Sequence, residues 1–301
     1  MTTEEAIRTN EAYSRLMKDT SEPAHSYLIL TEDGYTAQCL ADEFVCALSG
    51  KKNAKDIYRL PQGAKFLTQD ADIITENVNI YPTELNKKYY IVSAFETANE
   101  TAQNKLLKTL EEPPQSAMLI LLAKNEYAIL KTVKSRCVVV RPALYDDSIM
   151  HEVATELRAK NPAFCSAYAG GNLQRLLSCI KSGTETFDFT VDMLMKMRRS
   201  PDIVKYAVKL VASASVAEFL DTLDIILNDC MIFAIRPDLI KLKQNVMDVK
   251  EIASMYSVEA VLRIKPAIIR ARRRLEGLGN KSSIVDQLLF SILEEKAKCR
   301  K

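Results

Sequence analysis

Met118–Ala123 reads MLILLA, six apolar residues in succession. A strand with one wet face alternates apolar and polar residues, so an unbroken apolar run of this length fits a strand covered on both faces. Four other runs share the character: Ser26–Thr31 (SYLILT), Ile57–Leu60 (closed by Pro61), Tyr89–Ser93 (YYIVS) and Val138–Arg141 (VVVR). Helical patterns separate them, at Ala37–Leu48, weakly at 71–81, and at Asn99–Glu112, which Pro113-Pro114 halts. Thr97-Ala-Asn-Glu100 has the spacing of a capping box and predicts where the last of these begins. Buried strands alternating with helices predict an α/β domain built on a parallel sheet.

From Ser148 onward the strand signals vanish. Ser148–Lys160 and Leu173–Lys181 read as two short helices around the Ala169-Gly170-Gly171 break, and SGTET at 182–186 reads as a linker. Residues 187–298 then carry an apolar rhythm of helical period, clearest in AEFLDTLDIILNDCMIFAI and SIVDQLLFSILEE. The expected organisation is α/β plus α: a core domain over 1–143, a small helical domain over 144–183 and a helical domain over 184–301. Two or three domains suit 301 residues.

Composition narrows the function classes. The chain is 48% apolar and 27% charged, with 41 basic and 39 acidic residues, so any nucleic-acid contact must come from a local patch. The densest basic stretch is Arg270–Arg274 with Arg263 and Lys265, a solvated helix face or a surface for a phosphate or a neighbouring subunit. No apolar run nears the ~18 residues of a membrane span, and the polar, acidic start MTTEEAIRTNEAYSR is unlike a signal peptide. The cytoplasm is the expected location. Only two histidines, His25 and His151, are present, and none of the seven cysteines forms a CxxC pair. Zinc is therefore not expected, and the cysteines read as small apolar residues. His25 is expected to pack or hydrogen-bond at the start of the first strand, Met193–Met197 to sit in a helical core, and Glu111-Glu112 to be a solvated helix end.

Three segments carry a specific likeness. Ala102–Pro114, AQNKLLKTLEEPP, closely resembles the AQNALLKTLEEPP signature of bacterial clamp loaders. Pro23–Leu28 (PAHSYL) is similar to the run that opens their first strand, and Ser135-Arg136-Cys137 to the SRC motif that ends their core domain. The order and spacing of the three also match. This resemblance implies a P-loop-NTPase-like AAA+ core with a small lid domain and a C-terminal helical collar that assembles the subunits.

Beside that pattern, the nucleotide-site positions differ. A P-loop needs glycines for close backbone approach, a lysine for the phosphate charge and Ser/Thr for magnesium. The corresponding turn is Thr31-Glu-Asp-Gly-Tyr-Thr-Ala-Gln38, which lacks the Lys-Thr pair and places Glu32 and Asp33 beside the implied phosphate seat. The later strand ends Ile91-Val92-Ser93-Ala94-Phe95-Glu96, without the two aligned acids. Lys124-Asn125 replaces the sensor threonine region, and Gln174 falls at the sensor arginine, with Arg175 one position off.

Arg136 is retained. In such subunits the SRC arginine serves a neighbour's nucleotide, where a guanidinium supplied in trans stabilises charge on the transferred phosphoryl group. A chain lacking its own site but keeping that arginine resembles the delta prime family of bacterial DNA polymerase III clamp-loader subunits. The resemblance implies an accessory subunit without intrinsic catalysis or cofactor, with Arg136 as arginine finger. It implies gamma/tau and delta subunits as partners, with sliding clamp and primed DNA reached through the complex. The family's four-cysteine zinc module is cut short here, since no cysteine follows Cys46 before Cys137. Two alternatives remain open from sequence: an active gamma/tau-type ATPase with an unusual P-loop, and a delta-type or purely scaffolding subunit.

Overall fold

The computed structural model describes all residues except 214, 215, 277, 278, 300 and 301. The chain divides into two compact units, Met1–Leu157 with Gly171–Leu177, and Arg158–Gly170 with Ser178–Lys301.

The first unit opens with α1 (Thr3–Thr9) and α2 (Glu11–Asp19), each capped from its own sequence. Thr2 Oγ1 accepts Glu5 N–H while the Glu5 carboxylate accepts Thr2 N–H, and Asn10 Oδ1 accepts Ala12 N–H. Strands and helices then alternate: β1 (Ser26–Leu30), α3 (Gly34–Ser49), β2 (Ile57–Leu60), α4 (Thr68–Asn77), β3 (Lys88–Val92), α5 (Glu100–Glu111), β4 (Ala117–Ala123), α6 (Lys131–Lys134), β5 (Val138–Val140) and α7 (Asp147–Glu156). The sheet order is β2-β3-β4-β1-β5 with every pairing parallel. Leu28 lies opposite Leu121 on one side and Val139 on the other. Every residue of β1, β3 and β4 is buried, as their apolar runs require, while the edge strands β2 and β5 are partly exposed. Leu28, Tyr90, Leu119 and Leu121 meet Phe66 and Phe95 in the core.

Parallel strands place all their carboxyl ends at one edge of the sheet, where open α/β folds bind ligands. The turns after β1, β3 and β4 therefore gather there. The helix after β3 starts later than the Thr97 capping pattern predicts. Asn99 Oδ1 caps α5 through Ala102 N–H at 2.8 Å. Thr97 belongs to a short 3-10 turn, Phe95–Thr97, where its hydroxyl donates to Ala94 O and accepts Phe66 N–H. Of the two expectations for His25, packing is not met, since the residue is exposed; its main-chain carbonyl accepts Leu119 N–H just before β1.

In the second unit α8 (Pro162–Ala169) begins on an Asn161 cap with proline in its first turn. This helix is absent from the sequence expectation, which joins 148–160 to 173–181 through a break. The unit boundary falls inside α9 (Leu173–Ser182). The expected linker at 182–186 is only the turn Gly183-Thr184, because α10 (Glu185–Lys196) starts at once. There follow α11 (Ser200–Ser213), α12 (Val216–Ile235), α13 (Val246–Met255), α14 (Val258–Glu276) and α15 (Lys281–Lys298). Met193 and Met197 are fully buried, as the helical-core reading expects. The basic stretch lies on α14 and is largely paired: Arg272 with Asp221, Lys265 with Asp224, Arg263 with Glu295 and Arg274 with Gln287. Arg270 and Arg273 are exposed. Cys165, Cys179 and Cys230 are buried, and Cys299 is exposed. Among the described residues no helix is long and apolar enough to cross a membrane.

Candidate functional site

At the carboxyl edge of the sheet, only Thr31, Glu32 and Asp33 separate β1 from α3. A phosphate-cradling loop of the GxxxxGK[ST] type needs more chain than that to fold its amides around an anion. The two acids expected beside the phosphate seat have different fates. Asp33 is buried, and its carboxylate accepts four hydrogen bonds. Two come from Thr36, by N–H at 3.1 Å and Oγ1 at 2.9 Å, and cap α3. Two come from the first turn of α9, Leu173 N–H at 2.7 Å and Gln174 N–H at 3.3 Å. The unpaired amides and dipoles of two helix starts, a ready anion seat, thus converge on the chain's own carboxylate. Glu32 instead points into solvent, 3.7 Å from Arg175.

The other positions singled out in the sequence also bond within the chain. Gln174, where the resemblance implied a sensor arginine, uses Oε1 to accept Gly34 N–H at 3.1 Å. Ser93, where β3 ends, donates to Gln38 Oε1 at 2.9 Å, and Gln38 Nε2 donates to Asp42. A neutral hydroxyl–amide bond thus joins the end of β3 to α3. Lys124 N–H donates to the Glu96 carboxylate, and Asn125 Oδ1 accepts Tyr127 N–H. Among the described residues no group of three or more His, Cys, Asp or Glu comes together to hold a metal ion.

Ser135-Arg136-Cys137 links α6 to β5. The main chain there is tied to the sheet, since Ser26 Oγ donates to Arg136 O at 2.7 Å. Cys137 is half-buried, and burial pushes its thiol up to about 11, so it is no thiolate nucleophile. The Arg136 guanidinium stays one-third exposed and pairs with Glu111 at 2.5 Å. Glu111 is accordingly an ion-pair partner, not merely a solvated helix end. Nothing in the spacing of Asp33 and Leu173, or of Glu111 and Arg136, signals these pairings, because both are made by tertiary packing.

Residues 9–143 match the family model described as DNA polymerase III, delta subunit. The chain is 28% identical over 153 residues to DNA polymerase III subunit delta' of Bacillus subtilis, a match covering 42% of this chain and 46% of that protein. To the Haemophilus influenzae subunit delta' it is 31% identical over 115 residues, covering 38% and 35%. To DNA polymerase III subunit gamma of Buchnera aphidicola (subsp. Schizaphis graminum) it is 29% identical over 93 residues, covering 31% and 26%. The matches thus span less than half the length of each of these relatives. Among solved structures, a DNA polymerase III gamma subunit-related protein from Thermotoga maritima superposes with a TM-score of 0.56. It is 18% identical, and the match covers 95% of this chain and 100% of that one, which shows a shared P-loop-NTPase-like fold.

Proposed function

We propose, from the match of residues 9–143 to the family model described as DNA polymerase III, delta subunit, that this chain is a delta prime-type, non-ATPase subunit of a replicative clamp loader. It completes the loader ring and supplies Arg136 in trans to a neighbouring ATPase subunit while the sliding clamp is loaded onto primed DNA. In this reading 1–143 is the AAA+ core, 144–183 a small lid and 184–301 the collar that meets gamma/tau and delta subunits.

The observation that carries the non-ATPase part is the double cap by Asp33. A nucleotide phosphate at the starts of α3 and α9 would have to displace a buried carboxylate holding four hydrogen bonds. It would also bring negative charge against negative charge. The same feature counts against a gamma/tau-type ATPase, although gamma subunits are among the relatives. For the trans role, Arg136 alone of the catalytic family positions keeps its chemistry, and it sits on a backbone anchored to β1. A guanidinium offers planar paired donors to phosphoryl oxygens that a lysine does not.

Two measurements test the proposal. Titration of the isolated chain with magnesium-ATP should show no micromolar, phosphate-dependent binding. In a loader reconstituted with gamma/tau- and delta-type partners, Arg136→Ala should assemble normally while clamp loading falls steeply. Loss of such an arginine costs on the order of 10³–10⁵ at the site it serves. Wild-type loading by the assembled variant would leave the chain a scaffold.

A further inference from the structure

The Arg136 side chain is held, not free. Its Nη2 lies 2.5 Å from Glu111 Oε1, and its Nη1 donates to Thr132 O at 2.8 Å and to Ser135 Oγ at 3.3 Å. Glu111 is the last residue of α5, within AQNKLLKTLEEPP, and Thr132 lies in α6. The guanidinium is thus clamped between two helices, near the negative end of the α5 dipole, where a cation is favoured. Its Nε–H has no acceptor among the described residues, and one Nη2–H is likewise left over, since Nη2 makes only the Glu111 contact. Those donors face no competitor among the described residues.

Stability does not explain the contact. The two side chains are 31% and 48% exposed, and exposed ion pairs contribute about 0–1 kcal/mol. Geometry does. A free arginine side chain must surrender much of its rotamer freedom when it meets a phosphoryl group, whereas one already fixed surrenders less. Holding a reacting partner in position before the reaction is what converts a collision into an oriented encounter.

We infer that Glu111 is the positioning residue for Arg136: from the end of α5 its carboxylate fixes the guanidinium so that the remaining N–H donors are presented to the phosphoryl group in the neighbouring subunit. This rests on the trans-arginine reading above. Glu111 touches no nucleotide in this scheme and acts only through Arg136.

The test uses the reconstituted loader with wild-type chain, Arg136→Ala, Glu111→Ala, Glu111→Gln and the double alanine variant. The readouts are kcat and KM of clamp- and DNA-stimulated ATP hydrolysis, with thermal unfolding of each chain. Glu111→Ala should lower kcat roughly fivefold, the scale of an exposed ion pair, with KM and the unfolding midpoint unchanged. Glu111→Gln keeps an acceptor oxygen and should lose less. The double variant should be no slower than Arg136→Ala, because two residues acting as one unit are not additive. A Glu111→Ala loader at or above wild-type kcat, or one changed only in KM, overturns the inference, as does a double variant slower than Arg136→Ala. Wild-type kcat with Arg136→Ala overturns the trans-arginine reading itself and removes the ground for this one. If Glu111→Ala does not fold, Glu111→Gln decides, alone and combined with Arg136→Ala, by the same criteria.

Discussion

Asp33 Oδ2 accepts the backbone N–H of Leu173 at 2.7 Å across 140 residues of sequence. The same carboxylate caps the helix that follows it, so one side chain closes the starts of both α3 and α9. Helix N-termini leave amides without intrahelical partners. In P-loop NTPases a bound phosphate answers that need. Here a carboxylate of the chain itself does.

Removing that carboxylate exposes its structural share. Asp33→Ala leaves the amides of Thr36, Leu173 and Gln174 without their acceptor in a buried setting. An unsatisfied buried donor costs about 1–3 kcal/mol and a lost N-cap about 0.5–2 kcal/mol. A loss of roughly 2–4 kcal/mol follows from those two costs, read from urea unfolding, with a smaller loss for Asp33→Asn. An unchanged unfolding midpoint would mean that solvent serves those amides equally well.

A second buried carboxylate sets an acid limit. Asp56 accepts N–H bonds from Thr83, Glu84 and Leu85 at 2.5–3.0 Å, pinning the loop before β3. Burial works to raise its pKa, but the three amides outweigh it and hold the group below the ordinary aspartate value. A carboxyl whose folded pKa is lowered stabilises the fold fully above its unfolded pKa, about 3.9. That share drains away as pH falls from there through the folded value. The stability gap between wild type and Asp56→Asn should therefore be constant from about pH 7 to 5 and shrink below about pH 4. Denaturant titrations across that range and down to about pH 3 check this, and a gap independent of pH would assign the loop's stability elsewhere.

These residues mark where the sequence is readable. The strand runs translate almost residue for residue, because burial on both faces demands unbroken apolar chain: MLILLA is β4 and SYLILT is β1. The absence of a Lys-Thr pair in Thr31–Gln38 is legible too, since a missing lysine needs no structure to be noticed. Helix starts are harder. Thr97 and Asn99 both offer a capping side chain, and only the fold decides that Thr97 serves Phe66 and Ala94 instead. Charge is hardest. Glu32 and Asp33 look equivalent in sequence, yet one is a solvated partner of Arg175 and the other is buried across two helix ends. The difference lies in α9, which the sequence places far away.

Backbone geometry at that helix supplies the last prediction. Gly171 precedes α9 with φ +82°, and a Cβ there would lie 2.6 Å from Tyr145 O and 2.9 Å from Leu144 Cβ. Its own carbonyl accepts Tyr145 N–H at 3.0 Å, so the segment cannot back away without breaking that bond. Gly50, which ends α3, has a similar φ of +71°, but no neighbouring atom lies within 4 Å of where its Cβ would stand. The two glycines thus separate conformational strain from collision. Gly50→Ala should cost only the left-handed penalty, about 1–2 kcal/mol. Gly171→Ala carries the same penalty and must also push apart two backbones, which displaces Leu173 and Gln174 from Asp33. Its cost should exceed that of Gly50→Ala by about 1–3 kcal/mol, the range for an orphaned buried donor. In the double variant with Asp33→Ala the excess should diminish, because the bonds it disturbs are already gone. Equal destabilisation by the two glycine substitutions would show that the Tyr145 segment yields freely and that the α9 start is not fixed by this contact.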